Sequence, residues 1–211
     1  MTALIICNGS IGVYSYYNKF FADKPFIICV DGGASHARQL DVTPDILVGD
    51  FDSISGDDYS YFSSMGIEIL RFPVEKNMTD TEIAVDYAIN RGFRFITIIG
   101  GLGTRFDHSL SNVLILKKML DNGVQGRIVN EYNEITLIND RIVIDKERGL
   151  KVTLLPFCER VEGVSTKGMY YPLDNATIEI GSTLGVSNEF ASETAEVSVK
   201  SGLLLVIKSR D

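Results

Sequence analysis

The chain has 211 residues, a length that suits one large domain or one medium domain followed by a small one. Hydrophobic residues make up 45% and charged residues 23%, the balance of a globular protein with an apolar core. The formal net charge of −8 and the pI near 4.8 argue against a nucleic-acid or anionic-membrane partner held by general electrostatics. They leave room for a phosphate-bearing ligand, because a bound cation inverts the local sign of charge.

The cysteines indicate a reducing compartment. Cys7, Cys29 and Cys158 are an odd number and form no C-x-x-C pair, and the first two lie within apolar strand patterns. The first residues, MTALIIC, carry no basic leader, and no apolar run is long enough to cross a bilayer. We therefore expect a cytoplasmic protein.

The first part of the chain alternates between apolar, β-branched runs and helical patterns. The runs predict strands near residues 3–7, 26–30, 46–49, 67–72, 94–99 and 127–130. The intervening segments predict helices near residues 13–22, 33–40, 56–64, 80–91 and 108–121. Continuous apolar runs suit strands that are covered on both faces, so residues 1–131 are predicted to form an α/β domain with a mostly parallel sheet.

The pattern changes after about residue 131. EITLIND-RIVID predicts a hairpin across Asn139-Asp140, and the short runs KVTLLPF, GVSTKG, ATIEIG, AEVSVK and LLLVIK follow, separated by turn residues. No helical period longer than one turn is present. Residues 132–211 are therefore predicted to form a smaller all-β, sandwich-like domain.

Glycines and acidic residues follow each of the first five predicted strands. Because ligands of an open parallel sheet bind outside the carboxyl ends of its strands, these residues define the predicted ligand edge. They are Asn8-Gly9, Asp31-Gly32-Gly33, Asp50-Phe51-Asp52-Ser53, Lys76 with Thr79-Asp80-Thr81-Glu82, and the stretch GGLGTRFDH from Gly100 to His108.

Asp50 and Asp52 place two like charges side by side at the end of an apolar strand. In an extended segment alternate side chains share a face, so both carboxylates can point outward while Phe51 turns to the core. They could instead cap the next helix, a task open also to Ser53 or Ser55. Because a cation would offset their mutual repulsion, we favour ligation of the hard ion Mg²⁺.

The stretch from Thr79 to Glu82 matches a capping box at a helix start. For Thr79 and Glu82 we expect this capping role. Asp80, in the first turn and near Lys76, is either a partner of the helix dipole or a third carboxylate ligand.

The glycine-rich stretch GGLGTRFDH lacks both the Walker pattern and the dinucleotide fingerprint. Its functional interpretation is a loop whose backbone N–H groups approach phosphate, with Arg105 adding a bidentate contact. Asp107 is alternatively the N-cap of helix 108–121, and His108 a buried hydrogen-bonding group. His36, the second histidine, is expected on a helix face.

Five segments together resemble the thiamine pyrophosphokinase family, in order and over essentially the whole chain. They are VDGGA (30–34), PDILVGDFDS (44–53), EKNMTDTEIA (75–84), GGLGTRFDHSLSN (100–112) and GVSNEF (185–190). One departure is Asn77, where the family usually has aspartate after the lysine, and it shifts the expected carboxylate role to Asp80.

The resemblance implies a homodimer that transfers the pyrophosphoryl group of ATP to thiamine, giving thiamine diphosphate and AMP. It implies Mg²⁺ held by Asp50, Asp52 and Asp80. It also implies thiamine bound at the dimer interface, where Ser187 and Asn188 approach from the β domain of the second subunit.

Further roles follow for the remaining residues at the ligand edge. We expect Lys76 and Arg105 to clamp phosphates, and either Asp31 or Asp107 to orient or deprotonate the thiamine hydroxyl, a choice the sequence leaves open. The residues expected to seat the nucleotide are Asn8, Gly32, Gly100, Gly101, Gly103, Arg105 and His108.

Two other functions fit parts of the pattern. A Mg²⁺-dependent phosphatase of the haloacid-dehalogenase kind also carries D-x-D after a strand, but normally after the first strand rather than the third. A nucleotide- or metal-sensing module would bind Mg²⁺–ATP without turnover.

Overall fold

The computed structural model of the chain describes residues 1–75 and 77–211, so the predicted phosphate ligand Lys76 lies outside the described residues. The chain divides into two compact units, Met1–Glu131 and Tyr132–Asp211. We call them unit one and unit two.

Unit one is an α/β fold with a parallel sheet. Its strands are β1 (Thr2–Ile6), β2 (Phe26–Val30), β3 (Ile46–Gly49), β4 (Glu68–Arg71), β5 (Phe95–Ile99) and β6 (Gln125–Val129). Its helices are a 3-10 helix (Tyr14–Phe21), α1 (Gly33–Gln39), α2 (Gly56–Ser64), α3 (Asp80–Asn90) and α4 (Phe106–Asp121). Every pairing among these six strands is parallel, which confirms the predicted α/β class.

The strand order of unit one is β4-β3-β2-β1-β5-β6. The order reverses at β1, because the next three strands add on one side of it and β5 and β6 add on the other. A reversal of this kind opens a crevice at the carboxyl ends of the two diverging strands, where ligands of such sheets bind. The loops that follow β1 and β5 therefore flank the expected ligand position.

Helices cover both faces of this sheet. On one face Leu4 and Ile6 pack with residues of the 3-10 helix, α1 and α2 in a single buried cluster. The alternate residues Ala3 and Ile5 are also fully buried and point the opposite way, where α3 contacts β1, β2 and β3. Burial on both faces explains why the strands are continuously apolar in sequence.

Local signals place the helix starts. Ser55 is the N-cap of α2 and Thr79 that of α3, each accepting a hydrogen bond from a backbone N–H three residues on. Within the described residues only the Thr79 half of the expected capping box forms. The Glu82 carboxylate instead accepts from Lys118 Nζ at 2.7 Å, which ties the start of α3 to α4. The predicted helix near residues 13–22 is a 3-10 helix instead, and its aromatic-rich sequence YSYYNKFF has little preference for an α-helix.

Unit two consists of β-strands in two sheets. The strands are β7 (Asn133–Ile138), β8 (Arg141–Asp145), β9 (Lys151–Pro156), β10 (Arg160–Lys167), β11 (Ala176–Glu179), β12 (Thr194–Ser198) and β13 (Leu204–Ser209). Within the unit the orders are β7-β13-β9 and β11-β10-β12-β8, with antiparallel pairing throughout. Buried side chains from both sheets form one apolar core, as expected for a sandwich.

The predicted hairpin across Asn139-Asp140 is wrong. β7 pairs with β13 and β8 pairs with β12, so the chain crosses from one sheet to the other at this turn. The two residues are typical of a tight turn, but a turn signal does not determine which strand becomes the partner. Here Ile138 and Ile144 enter the core from different sheets.

None of the helices within residues 1–75 and 77–211 is both long enough and apolar enough to span a bilayer.

Candidate active site

A cavity of about 460 Å³ opens at the carboxyl edge of the parallel sheet, at the point where the strand order reverses. The loops after β1, β2, β3 and β5 and the starts of α3 and α4 contribute its walls. Its lining residues are Cys7, Asn8, Gly9, Ser10, Val30, Asp31, Ser53, Thr79, Asp80, Thr81, Gly100, Gly101, Gly103, Thr104, Arg105, His108, Ser109 and Asn112.

Two loops pack against each other at the base of the cavity, and glycine makes this possible. Gly9 N–H donates to Gly100 O at 2.7 Å. A Cβ at Gly9 would lie 2.3 Å from that oxygen, and a Cβ at Gly100 would lie 2.3 Å from Cys7 O. Side chains at either position would force the loops apart, so backbone rather than side chains forms this wall.

Side chains of α4 hold the glycine-rich loop in shape. Buried Asn112 donates from Nδ2 to Gly101 O at 2.6 Å. The Ser109 hydroxyl accepts from Gly103 N–H at 3.0 Å. The sequence analysis assigned no role to these two residues. They are three residues apart in α4, a spacing that puts two side chains on the same face of a helix, and this pattern could have indicated their shared role.

Three carboxylates converge beside the cavity. Asp31, Asp50 and Asp52 each offer one oxygen, and these oxygens all lie within 4.8 Å of one another. Phe51 adopts a left-handed conformation with φ of 65°, so the chain turns between the two acids instead of remaining extended as predicted. A Cβ at Gly49 would lie 2.8 Å from Asp31 Oδ1, so glycine leaves room for Asp31 to approach.

The environment of Asp31 raises its pKa to about 6. Burial is the main cause, and the charges of Asp80, Asp50 and Asp52 add to it, while a hydrogen bond from Phe51 N–H at 2.8 Å opposes it. Asp31 thus belongs geometrically with the carboxylates expected to bind metal, although the sequence suggested it as a possible base. Asp80 lines the cavity but is outside this group of three, and its ligation of metal stays a prediction.

We predict that metal-free protein is stabilised by protonation of Asp31. Because its pKa is raised in the folded state, this contribution is complete below the unfolded value of 3.8 and is lost as pH rises through about 6. Asp31→Asn keeps an acceptor for the Phe51 N–H and tolerates the left-handed backbone at this position. In EDTA the variant should melt above wild type at about pH 7.5, with a smaller gap at about pH 4.5. A gap that is the same at both pH values would contradict the assignment.

Arg105 and Asp107 pair with each other at the start of α4. Arg105 Nη2 lies 2.6 Å from Asp107 Oδ2, and Nε donates to Oδ1 at 3.3 Å. This hydrogen bonding lowers the pKa of Asp107. Asp107 is not the N-cap, because α4 begins at Phe106 and Arg105 takes the capping position. His108 is exposed and lines the cavity, so it is not a buried hydrogen-bonding group.

Six of the seven residues expected to seat the nucleotide line the cavity; they are Asn8, Gly100, Gly101, Gly103, Arg105 and His108. The seventh, Gly32, lies under Asn8, since a Cβ there would be 2.5 Å from the Asn8 side chain. Of the other site residues predicted in the described part of unit one, Asp50, Asp52 and Asp107 do not line the cavity.

Ser187 and Asn188 lie in unit two and differ in exposure. Asn188 is buried, and its side chain holds the neighbouring chain: Nδ2 donates to Tyr171 O at 2.7 Å, and Oδ1 accepts from the N–H groups of Tyr171 and Glu189. Ser187 is exposed, and its N–H donates to Thr153 Oγ1 at 3.0 Å. The side-chain amide of Asn188 thus hydrogen-bonds within unit two, and of these two residues only Ser187 is exposed to solvent. Thiamine binding by these two residues stays a prediction.

The fold and the cavity define an α/β unit with a cavity at its strand-order reversal, followed in the chain by an antiparallel β unit. The family model described as thiamin pyrophosphokinase, catalytic domain, matches residues 17–128. The model described as thiamin pyrophosphokinase, vitamin B1 binding domain, matches residues 140–204. The chain belongs to the thiamine pyrophosphokinase family.

Individual relatives match this chain over its full length in sequence and in structure. A thiamine pyrophosphokinase of Bacillus subtilis is 30% identical over 212 residues, which cover 100% of this chain and 99% of the relative. A crystal structure of thiamine pyrophosphokinase from Bacillus subtilis matches with a TM-score of 0.92 at 27% identity, over 100% of both chains. A structure from Geobacillus thermodenitrificans matches with a TM-score of 0.88 at 29% identity, over 100% of this chain and 98% of the other.

Proposed function

We propose that the chain transfers the pyrophosphoryl group of ATP to thiamine, giving thiamine diphosphate and AMP. The observation that carries this proposal is the cavity at the strand-order reversal, where a backbone-walled glycine loop and a cluster of carboxylates meet. A glycine loop suits a polyphosphate, and the carboxylates suit the cation that accompanies it. The full-length match to the family supplies thiamine as the acceptor.

We propose Mg²⁺ as the metal of this site. Three carboxylate oxygens within 4.8 Å of one another form a hard, anionic donor set, which fits the ion. Asp31, Asp50 and Asp52 would hold it, with Asp80 adding negative charge nearby. When bound, Mg²⁺ supplies neutralisation of polyphosphate charge and helps to align the nucleotide.

The residues of the chain would position and stabilise the transferring group. The glycine loop presents backbone at the cavity wall, and Arg105 contributes a planar cation for a phosphate. We propose that Asp107 holds Arg105 in place and does not act as the base, because a carboxylate with a lowered pKa accepts a proton poorly. Lys76 remains a proposed second phosphate clamp on the sequence resemblance alone.

We further propose a homodimer in which unit two binds thiamine. Ser187 supports this role because it is exposed, while Asn188 would act by holding Tyr171 and the backbone next to Ser187. The three free cysteines, two of them buried, support the proposed cytoplasmic location, since such thiols persist in reducing conditions.

The test is product analysis with ATP, Mg²⁺ and thiamine, by HPLC or ³¹P NMR. Thiamine diphosphate and AMP in equal amounts are expected. Free phosphate without thiamine diphosphate would identify the phosphatase alternative. Binding of Mg²⁺–ATP with no product would identify the sensing module.

We predict that Arg105→Lys lowers kcat/KM for ATP by about tenfold, because lysine keeps the charge but loses the planar fork that binds phosphate and Asp107 at two points. Steady-state kinetics at varied ATP measure the effect. Lys117→Arg, in the exposed Lys117–Asp121 pair of the same helix, is the matched control and should leave kcat/KM unchanged. Wild-type kinetics in Arg105→Lys would remove Arg105 from the phosphate site.

A further inference from the structure

The loop between β1 and the 3-10 helix forms one wall of the cavity through Asn8, Gly9 and Ser10. Side chains from outside the loop fix both of its ends. Near its far end, Glu131 Oε1 accepts from the N–H groups of Gly12 and Val13, each at 2.6 Å. Near its start, the side chain of His36 reaches the loop from α1.

Both ring nitrogens of His36 are engaged. Nε2 lies 2.8 Å from Gly9 O, and Nδ1 lies 2.7 Å from the Tyr14 hydroxyl. Because a carbonyl oxygen only accepts, Nε2 carries the proton, and Nδ1 of the neutral ring accepts from Tyr14. Burial lowers the pKa of His36, which favours this neutral form. His36 therefore does more than occupy a helix face, which is where the sequence placed it.

This contact sets the direction of one peptide group. In a trans peptide the C=O and the following N–H point in opposite directions, and none of the described peptide bonds is cis. With Gly9 C=O directed at His36, the Ser10 N–H points away from His36. Ser10 lines the cavity and His36 does not. Among the described residues, none accepts a hydrogen bond from this N–H.

We propose that His36 is a positioning residue that orients the Gly9–Ser10 peptide so that the Ser10 N–H binds a phosphate oxygen of the nucleotide. The inference rests on the proposed binding of ATP in this cavity. The Gly9 N–H, bonded to Gly100 O at 2.7 Å, fixes the peptide on the other side of Gly9. Without His36 the Gly9–Ser10 peptide can rotate, so binding of the nucleotide would have to order it, and this loss of conformational entropy would lower the affinity.

The test compares His36→Ala, His36→Gln and Tyr14→Phe by calorimetric titration with Mg²⁺–ATP in the absence of thiamine, and by steady-state kinetics with both substrates varied. Glutamine restores an N–H donor toward Gly9 O, so it separates the contact from the imidazole ring. Arg38→Gln is the matched control, because Arg38 lies on the same helix but pairs with Asp58. Thermal melting verifies that every variant folds.

We expect His36→Ala to raise the Kd and KM for ATP by about tenfold, the range for one hydrogen bond to a charged group, with KM for thiamine within about twofold of wild type. His36→Gln should recover most of the loss, and Tyr14→Phe should raise Kd by only about threefold because the Gly9 contact remains. Arg38→Gln should match wild type.

Folded His36→Ala that binds ATP as tightly as wild type would overturn the inference. So would equal losses for ATP and thiamine that glutamine does not rescue, since they would show a general structural role. Wild-type protein that does not bind Mg²⁺–ATP would instead overturn the proposed function, and the titration shows this before any variant is measured.

Discussion

Asp52→Asn is expected to abolish turnover while leaving the fold intact. The change removes a charged member of the carboxylate cluster that is a proposed metal ligand. Mutation of residues that only hydrogen-bond to metal ligands already lowers metal affinity or activity by about 10–100-fold. Loss of a ligand itself should therefore lower kcat by at least about a hundredfold. Asparagine still accepts from the Ser53 hydroxyl, which contacts Asp52 Oδ1 at 2.7 Å. One fewer like charge near Asp31 and Asp50 should keep or raise the melting temperature in EDTA.

Asp41→Asn is the matched control for this variant. Asp41 is an exposed aspartate with a left-handed backbone, which asparagine also adopts, and it is not among the residues lining the cavity. Its activity and melting temperature should match wild type. If metal-free Asp52→Asn melted several degrees below wild type, the carboxylate cluster would be a structural feature and its assignment to metal wrong.

Two inactive variants are expected to restore each other if each active centre combines unit one of one subunit with unit two of the other. Asp52→Asn damages the proposed metal site. Ser187→Arg changes an exposed position and places a cation where cationic thiamine is proposed to bind. In a twofold dimer that carries one chain of each kind, one centre has both changes and the other is native.

With free exchange of equal amounts, half of the dimers are mixed, so activity should return to about a quarter of wild type. Ser187 is a better choice than Asn188, because the buried amide of Asn188 holds Tyr171 and its loss would endanger the fold. Native mass spectrometry verifies exchange in the same sample. Exchanged but inactive protein would show that each centre is built within one chain.

The architecture of unit one was predictable because its signals are local. Strands buried on both faces are continuously apolar, and the cap residues Ser55 and Thr79 stand where the helices begin. The partner of a strand in unit two was not predictable in the same way. Asn139-Asp140 turns the chain, but whether β8 returns beside β7 or joins the opposite sheet depends on core packing among distant residues.

The geometry of the candidate site was also only partly predictable from the sequence. The ligand edge follows from which residues end the strands, and most residues expected to seat the nucleotide do line the cavity. The left-handed turn at Phe51 was not predictable, because an aromatic residue rarely adopts this conformation. The packing of its ring near Tyr59 is a tertiary contact that the local sequence does not reveal. The contact of His36 was not predictable either, since it joins a helix to a loop that the sequence places far away.

The arrangement of β7, β13 and β9 has a consequence for the speed of folding. β13 lies between β7 and β9 and pairs with one of them on each side. The contacts run from Ile138 with Leu204 to Asn133 with Ser209, so unit two has a high contact order, and closing such long loops slows folding. On the ribosome, β7 and β9 emerge well before their common partner. The nascent chain therefore carries two unpaired, apolar strand edges until β13 is synthesised, a state in which chaperone binding would protect it from aggregation.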